Sequence, residues 1–342
     1  MNASASLSRV VFIFLLTTLP SSLCAAQTYA VTDLGTLRGG SFSGAKAVNA
    51  TGEITGYAYD SNNSISDVFL YSNGRLTDLG TLGGTSAIGN GINASGQIAG
   101  YSTVASGTYH AFLSSGGKLN DIGDLGGGSA VAYALNDAGQ VVGSAVTANG
   151  SNHPFLYSNG QMTDLGTLGS PDGTDWWNSA QSVNKFGVVV GTSYDVHGNF
   201  FGFIWRNGTM TKMGTLGGPW SQAYAVNNKN QVTGLAYTKN GSAHAFLATN
   251  GVLKDLGTIS GPTSTTWGFG INDAGIVVGQ STFQSTYHAF VYSGGLMKDL
   301  NKLIPAGSGW VLLTANGINN AGQIVGEGQH NGKQHGFLLT PQ

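Results

Sequence analysis

Two aspartates, two indoles and a second acidic, aromatic stretch fall close together in residues 169–199 of this 342-residue chain. Asp172 and Asp175 precede Trp176 and Trp177, and Tyr194-Asp195-Val196-His197 follows in the same repeat. Flat indole faces beside hydrogen-bonding groups suit sugar rings, which stack through apolar C–H faces and present hydroxyls at the edge. The same carboxylates, with His197, have the residue types of acid/base pairs, and an Asp-rich loop also has those of a calcium site. Short Asp-rich loops are ordinary turn formers as well. The reading adopted is therefore that no residue is catalytic. If the protein is an enzyme, its candidates are Asp172, Asp175, Asp195 and His197.

The other tryptophans extend the aromatic pattern. Trp220, Trp267 and Trp310 lie, like Trp176 and Trp177, between one repeat and the next, and Phe42 holds the matching place near the front. With Tyr194 these are the candidate ligand-binding residues. Tryptophans in such crossovers also serve to plug gaps between neighbouring units, so the aromatic types alone leave both roles open.

Other chemistries find no support. The chain has no Gly-x-Ser-x-Gly elbow, no His-Glu-x-x-His pair and no glycine-rich phosphate loop followed by lysine. Net charge is −2 and only 9% of residues are charged, with no basic stripe for nucleic acid. Residues 1–26 read as a secretory signal: Arg9 closes a short n-region, 10–19 are apolar, and Cys24-Ala25-Ala26 fits a cleavage site. Ten apolar residues are too few to span a bilayer. A lipid anchor on Cys24 is disfavoured because Leu23 precedes it. Cys24 is the only cysteine, so the mature chain would have no disulfide and no thiol catalysis.

The elements that must position these residues come from a repeat. Its unit reads Asp-Leu-Gly-Thr-Leu-Gly-Gly, then Ala-x-x-x-Asn-x-x-Gly-Gln-Val-Val-Gly, then His-Ala-Phe-Leu-Tyr-Ser-x-Gly. The asparagine recurs at Asn49, Asn93, Asn136, Asn184, Asn227, Asn272 and Asn319, each followed seven residues later by a glycine. A period of about 43 to 48 residues fits propeller blades. Alternating small residues before each asparagine give a strand crowded on one face. Asn230 replaces the turn glycine in the fifth copy, so that position is chosen for left-handed backbone.

Each unit supplies four strands, but a fourth strand follows only six of the seven third strands. The missing one is Tyr29-Ala30-Val31-Thr32-Asp33-Leu34-Gly35 at the front. The sequence thus predicts an all-β, seven-bladed β-propeller over residues 27–342, four strands per blade, with the N-terminal strand closing the last blade. A β-solenoid is the alternative fold. Short turns should occupy one face, while the variable loops and crossovers occupy the other.

The His-Ala-Phe segments at His110, His244 and His288, with Asp-Leu-Gly-Thr-Leu-Gly-Gly and the Asn-x-x-Gly-Gln-Val-Val-Gly turn, resemble the HAF family of bacterial extracellular repeats. The likeness covers most of residues 28–340. It implies secretion and a propeller-like fold, and carries no established activity. The copies depart from it at Asp67-Val68-Phe69, His153-Pro154-Phe155, Phe201-Gly202-Phe203 and His335-Gly336-Phe337. A zinc site needs three or four converging ligands, whereas one histidine per blade spreads them over a wide ring. His110, His153, His244, His288 and His335 are therefore expected to make a repeated blade-to-blade hydrogen bond. No metal and no cofactor are expected.

The functional expectation is a secreted, extracellular or periplasmic, monomeric propeller that binds a glycan or another surface ligand through its loop-rich face, with no nucleic acid and no membrane span. A secreted polysaccharide lyase or glycoside hydrolase centred on the fourth repeat is the alternative. A structural envelope protein is the weaker one.

Overall fold

The computed structural model describes residues 27–170 and 177–342. Residues 1–26, read as a signal, and 171–176, which hold Asp172, Asp175 and Trp176, lie outside the described residues. The described chain is all-β, with one three-residue helical turn at Leu300–Lys302.

The third repeat shows how a unit is built. Strands Gly126–Leu135, Val141–Thr147, Asn152–Ser158 and Gln161–Asp164 form an antiparallel meander. Five sheets have four strands, and one of eight strands consists of the first two meanders joined by a single parallel bridge, Ser66 to Ser86. The last sheet draws on both ends of the chain. Tyr29–Asp33 pairs antiparallel with Lys333–Pro341, in register from Tyr29 opposite Pro341 to Asp33 opposite Phe337. The Gln342 N–H also donates to the Thr28 carbonyl at 2.9 Å. The N-terminal strand therefore covers an edge that would otherwise be open.

In every unit the first strand carries a register shift four to two residues before the asparagine, as between Ala132 and Ala134. A bulge brings one carbonyl inward and turns the extra residue to a new direction. The repeated second-strand glycine is the counterpart of that carbonyl. A Cβ on Gly143 would lie 2.0 Å from the Val131 oxygen, and one on Gly326 would lie 1.9 Å from the Thr314 oxygen. No side chain fits there.

The apolar core is layered between neighbouring sheets. Phe155 packs with Ala130, Ala132 and Val141 of its own unit and with Ala99 and Ala111 of the previous one. All seven repeated phenylalanines, from Phe69 to Phe337, are fully buried.

The asparagines link the sheets. Asn136 Oδ1 accepts from the Ala138 and Gln140 N–H groups at 3.1 and 3.0 Å, fixing its turn. Its Nδ2 donates to the Asn184 carbonyl of the next unit at 3.0 Å. The same forward bond runs from Asn49 to Asn93 and onward through each unit, until Asn319 donates back to the Asn49 carbonyl at 2.9 Å. The cycle is closed. Asn230 has φ +59°, the left-handed conformation expected at the position where the other turns carry glycine.

Candidate functional site: an aromatic cavity

Several of the sequence-predicted aromatics converge on one cavity of about 450 Å³ across the fourth, fifth and sixth repeats. Its wall includes Trp177 and Tyr194 of the fourth, Trp220 of the fifth and Trp267 of the sixth. Trp177 stands two residues before the first strand of its sheet, Ser179–Val183. Trp220 and Trp267 lie within first strands, Gly217–Val226 and Thr266–Ile271, rather than in crossover loops as the sequence suggested. The strand ends hold their backbone while leaving the Trp220 side chain 46% exposed, and Trp177 is 64% exposed.

Two further aromatic residues were missed by sequence reasoning. Phe200 and Tyr237 also line the cavity. Phe200 packs against Tyr194 at 4.8 Å between centroids, and Tyr237 meets Trp220 edge-on at 5.5 Å. A signal for Tyr237 was present, since it stands ten residues after Asn227 as Tyr194 stands ten after Asn184. Gln222 and Thr265 add hydrogen-bonding groups to the wall. No charged side chain is among the described lining residues.

The remaining candidates sit elsewhere. Phe42 is the first-repeat counterpart of Trp220, seven residues before its asparagine, and meets Tyr59 edge-on at 6.1 Å. Trp310 is offset by two residues from that position and is only 9% exposed. It stacks on His330 at 4.7 Å and packs edge-on to Phe337 at 6.0 Å, so its indole is part of the last sheet's core.

Asp195 and His197 do not form an acid/base pair. Asp195 Oδ1 accepts from the backbone N–H groups of His197 and Asn199, each at 3.0 Å, and Lys212 Nζ lies 3.3 Å from Oδ2. Burial would raise the Asp195 carboxyl, but these N–H groups and the Lys212 ammonium outweigh it and hold it below the usual range. His197 occupies the exposed tip of the same turn.

The repeated histidines require a correction. Their aspartate partners lie within the same sheet, and His244 also reaches into the crossover to the next unit, with Nε2 3.0 Å from the Pro262 carbonyl oxygen. His153 Nδ1 lies 2.8 Å from Asp164 Oδ2, and His110, His244 and His288 pair in the same way with Asp121, Asp255 and Asp299. Each carboxylate ends the fourth strand at the repeat's Asp-Leu-Gly position, which reads Asp-Ile-Gly at Asp121 and Asp-Leu-Asn at Asp299. Asp164 also accepts the Gly166 N–H at 2.7 Å. A histidine on the third strand reaches the adjacent fourth strand more readily than another sheet. The bond to the next unit that recurs around the whole repeat is made by the asparagines instead.

No family model matches the chain, and no curated protein matches it. Solved structures do. The chain is similar to the β-propeller domain of the trilobed protease from Pyrococcus furiosus, reported to have an open velcro topology: TM-score 0.58, 11% identity, covering 88% of this chain and 97% of that one. It is similar to TolB from Acinetobacter baumannii, with TM-score 0.51, 12% identity and 72% of this chain covered. Puromycin hydrolase gives TM-score 0.56 at 14% identity over 84% of this chain. The match spans 62% of the TolB chain and 50% of the hydrolase. The fold is that of a β-propeller. At these identities the likeness carries the scaffold and no activity.

Among the described residues, no helix is long and apolar enough to cross a membrane.

Proposed function

We propose that the chain is a secreted, seven-bladed propeller of the HAF-repeat type that binds a polysaccharide without turning it over. The carrying observation is the cavity in which Trp177, Tyr194, Trp220 and Trp267 meet without a charged side chain among the described residues. Indole and phenol faces gain by covering sugar C–H surfaces, and Gln222 and Thr265 offer hydrogen bonds to hydroxyls. The closed cycle of seven asparagine bonds supports the blade number. Residues 1–26 have the pattern of an export signal, and secretion is part of the proposal.

Asp195 is committed to its own turn and to Lys212, which weighs against the lyase or hydrolase alternative at the described part of the fourth repeat. A glycan array tests the binding reading, followed by titration calorimetry of any hit against Trp220→Ala. The expected result is a bound glycan whose affinity falls about tenfold in the variant, as loss of one stacking platform implies. An intact protein that binds no glycan removes the proposal.

A further inference from the structure

The last sheet differs from the others in one polar cluster. His335 repeats the common pairing, with Nδ1 2.9 Å from both oxygens of Asp33. A second imidazole joins it: His330 Nδ1 lies 2.8 Å from Asp33 Oδ2. The three ligand atoms lie within 4.8 Å of one another. The fold does not require this second ring, because four other sheets hold the same histidine–aspartate pair with one imidazole each. The position eleven residues after the asparagine is Asp60, Val104, Thr147, Asp195, Thr238 and Phe283 in the other repeats.

We propose that Asp33, His330 and His335 bind one divalent transition-metal ion of the zinc class. Two imidazole nitrogens and one carboxylate are the donor set of borderline cations such as Zn²⁺ and Co²⁺, not of Ca²⁺ or Mg²⁺, which prefer oxygen. Bonds of about 2.0–2.2 Å at tetrahedral angles put ligand atoms roughly 3.3 Å apart, so the two histidine–carboxylate contacts open by about half an ångström to admit the ion.

The surroundings favour it. Trp310 stacks on the His330 ring at an interplanar angle of 1° and fixes its plane. Asn331 Nδ2 stands 3.2 Å from His330 Nε2. When the metal takes Nδ1, the proton of the neutral ring moves to Nε2, and rotation of the Asn331 amide presents its oxygen to accept that N–H. The Gly35 N–H steadies Asp33 Oδ1 at 2.8 Å. Side-chain exposures of 29%, 25% and 15% for Asp33, His330 and His335 leave a path from solvent. Asp33 stands on the N-terminal strand and both histidines on the C-terminal hairpin, so the ion would cross-link the two ends of the chain.

Titration calorimetry with zinc chloride near neutral pH, on untagged protein, tests the site. We expect one zinc per chain with a dissociation constant below about 10 µM, and a melting temperature that rises with zinc. His330→Ala should weaken binding at least about tenfold and abolish the thermal shift. His330→Phe should do the same and keep its fold, because Phe283 occupies that repeat position and stacks on His288 at 4.2 Å. His153→Ala, which removes a pair lacking the second imidazole, should leave zinc binding unchanged. Failure of the intact protein to bind zinc in this range, or zinc binding by both His330 variants as tight as that of the intact protein, overturns the proposal.

Discussion

The two faces of this propeller are built from the same strands and obey different rules. On the short-turn face, each asparagine fixes its turn and reaches the next unit, and the residues repeat in every copy. On the loop-rich face, the same repeat positions carry Phe42, Trp177 and Trp220 in three units, and Ser86, Ser129, Thr265 and Leu312 in the rest. One face is constrained by backbone geometry, where a missing donor or an added Cβ has no local remedy. The other is constrained only by what fills it. An aromatic cavity or a cluster such as Asp33, His330 and His335 can occupy that face without disturbing the frame.

Five experiments press on this contrast. The largest effect should come from removing 28–35, which strips the last sheet of its edge strand and the cores of Tyr29 and Leu34. The loss of five paired residues and two buried side chains should cost several kcal/mol, comparable with whole-domain stability. The shortened protein should aggregate or melt far lower by calorimetry. A protein that stays monomeric with an unchanged melting temperature would show that closure contributes little.

Phe155→Ala should follow, at about 3–5 kcal/mol in denaturant titration, because the ring is wholly buried between two sheets. Asn136→Ala should cost roughly 2–3 kcal/mol, since the Ala138 and Gln140 N–H groups lose their acceptor and the Asn184 carbonyl keeps only the Gly187 N–H. On the opposite face, Trp220→Ala should cost under about 1 kcal/mol of stability, the indole being nearly half exposed. Equal damage from Asn136→Ala and Trp220→Ala would erase the distinction between the faces.

The smallest effect concerns acid. Burial would raise the Asp164 carboxyl, but His153 and the Gly166 N–H outweigh it and hold it below its ordinary value, as happens also at Asp195. A carboxylate lowered in the fold stabilises it fully above its unfolded pKa, about 3.9, and that contribution is lost as pH falls through the folded value. Stability should therefore be insensitive to these groups from pH 5 to 8 and decline below about 4. A decline beginning near pH 6 would assign the pH dependence to other groups.

What the sequence made legible follows the same division. Gly143 and Asn136 announced themselves by recurring, and their recurrence is explained by a carbonyl 2.0 Å from a would-be Cβ and by a closed hydrogen-bond cycle. The bulge between Ala132 and Ala134 was hidden, because its extra residue is Lys46, Asn90, Tyr133 or another type in turn. Trp177, Trp220 and Trp267 were found by residue type, yet type alone also admitted Trp310, which packs on His330 and Phe337 in the core of the last sheet. His330 escaped notice because it has no counterpart in the repeat. A pattern found by repetition cannot display what occurs once.

The asparagine cycle separates the shape from the place where the chain is cut. Each bond donates forward to the next unit, and the Asn319-to-Asn49 bond has the same geometry as the others although it spans 270 residues. With Thr28 and Gln342 already joined by a backbone hydrogen bond, a short peptide linking them would give a circle with seven equivalent junctions. New termini at the Asn250-Gly251 turn should then yield a circular permutant with the same cycle of bonds, and the position of the ends becomes a matter of inheritance rather than of stability.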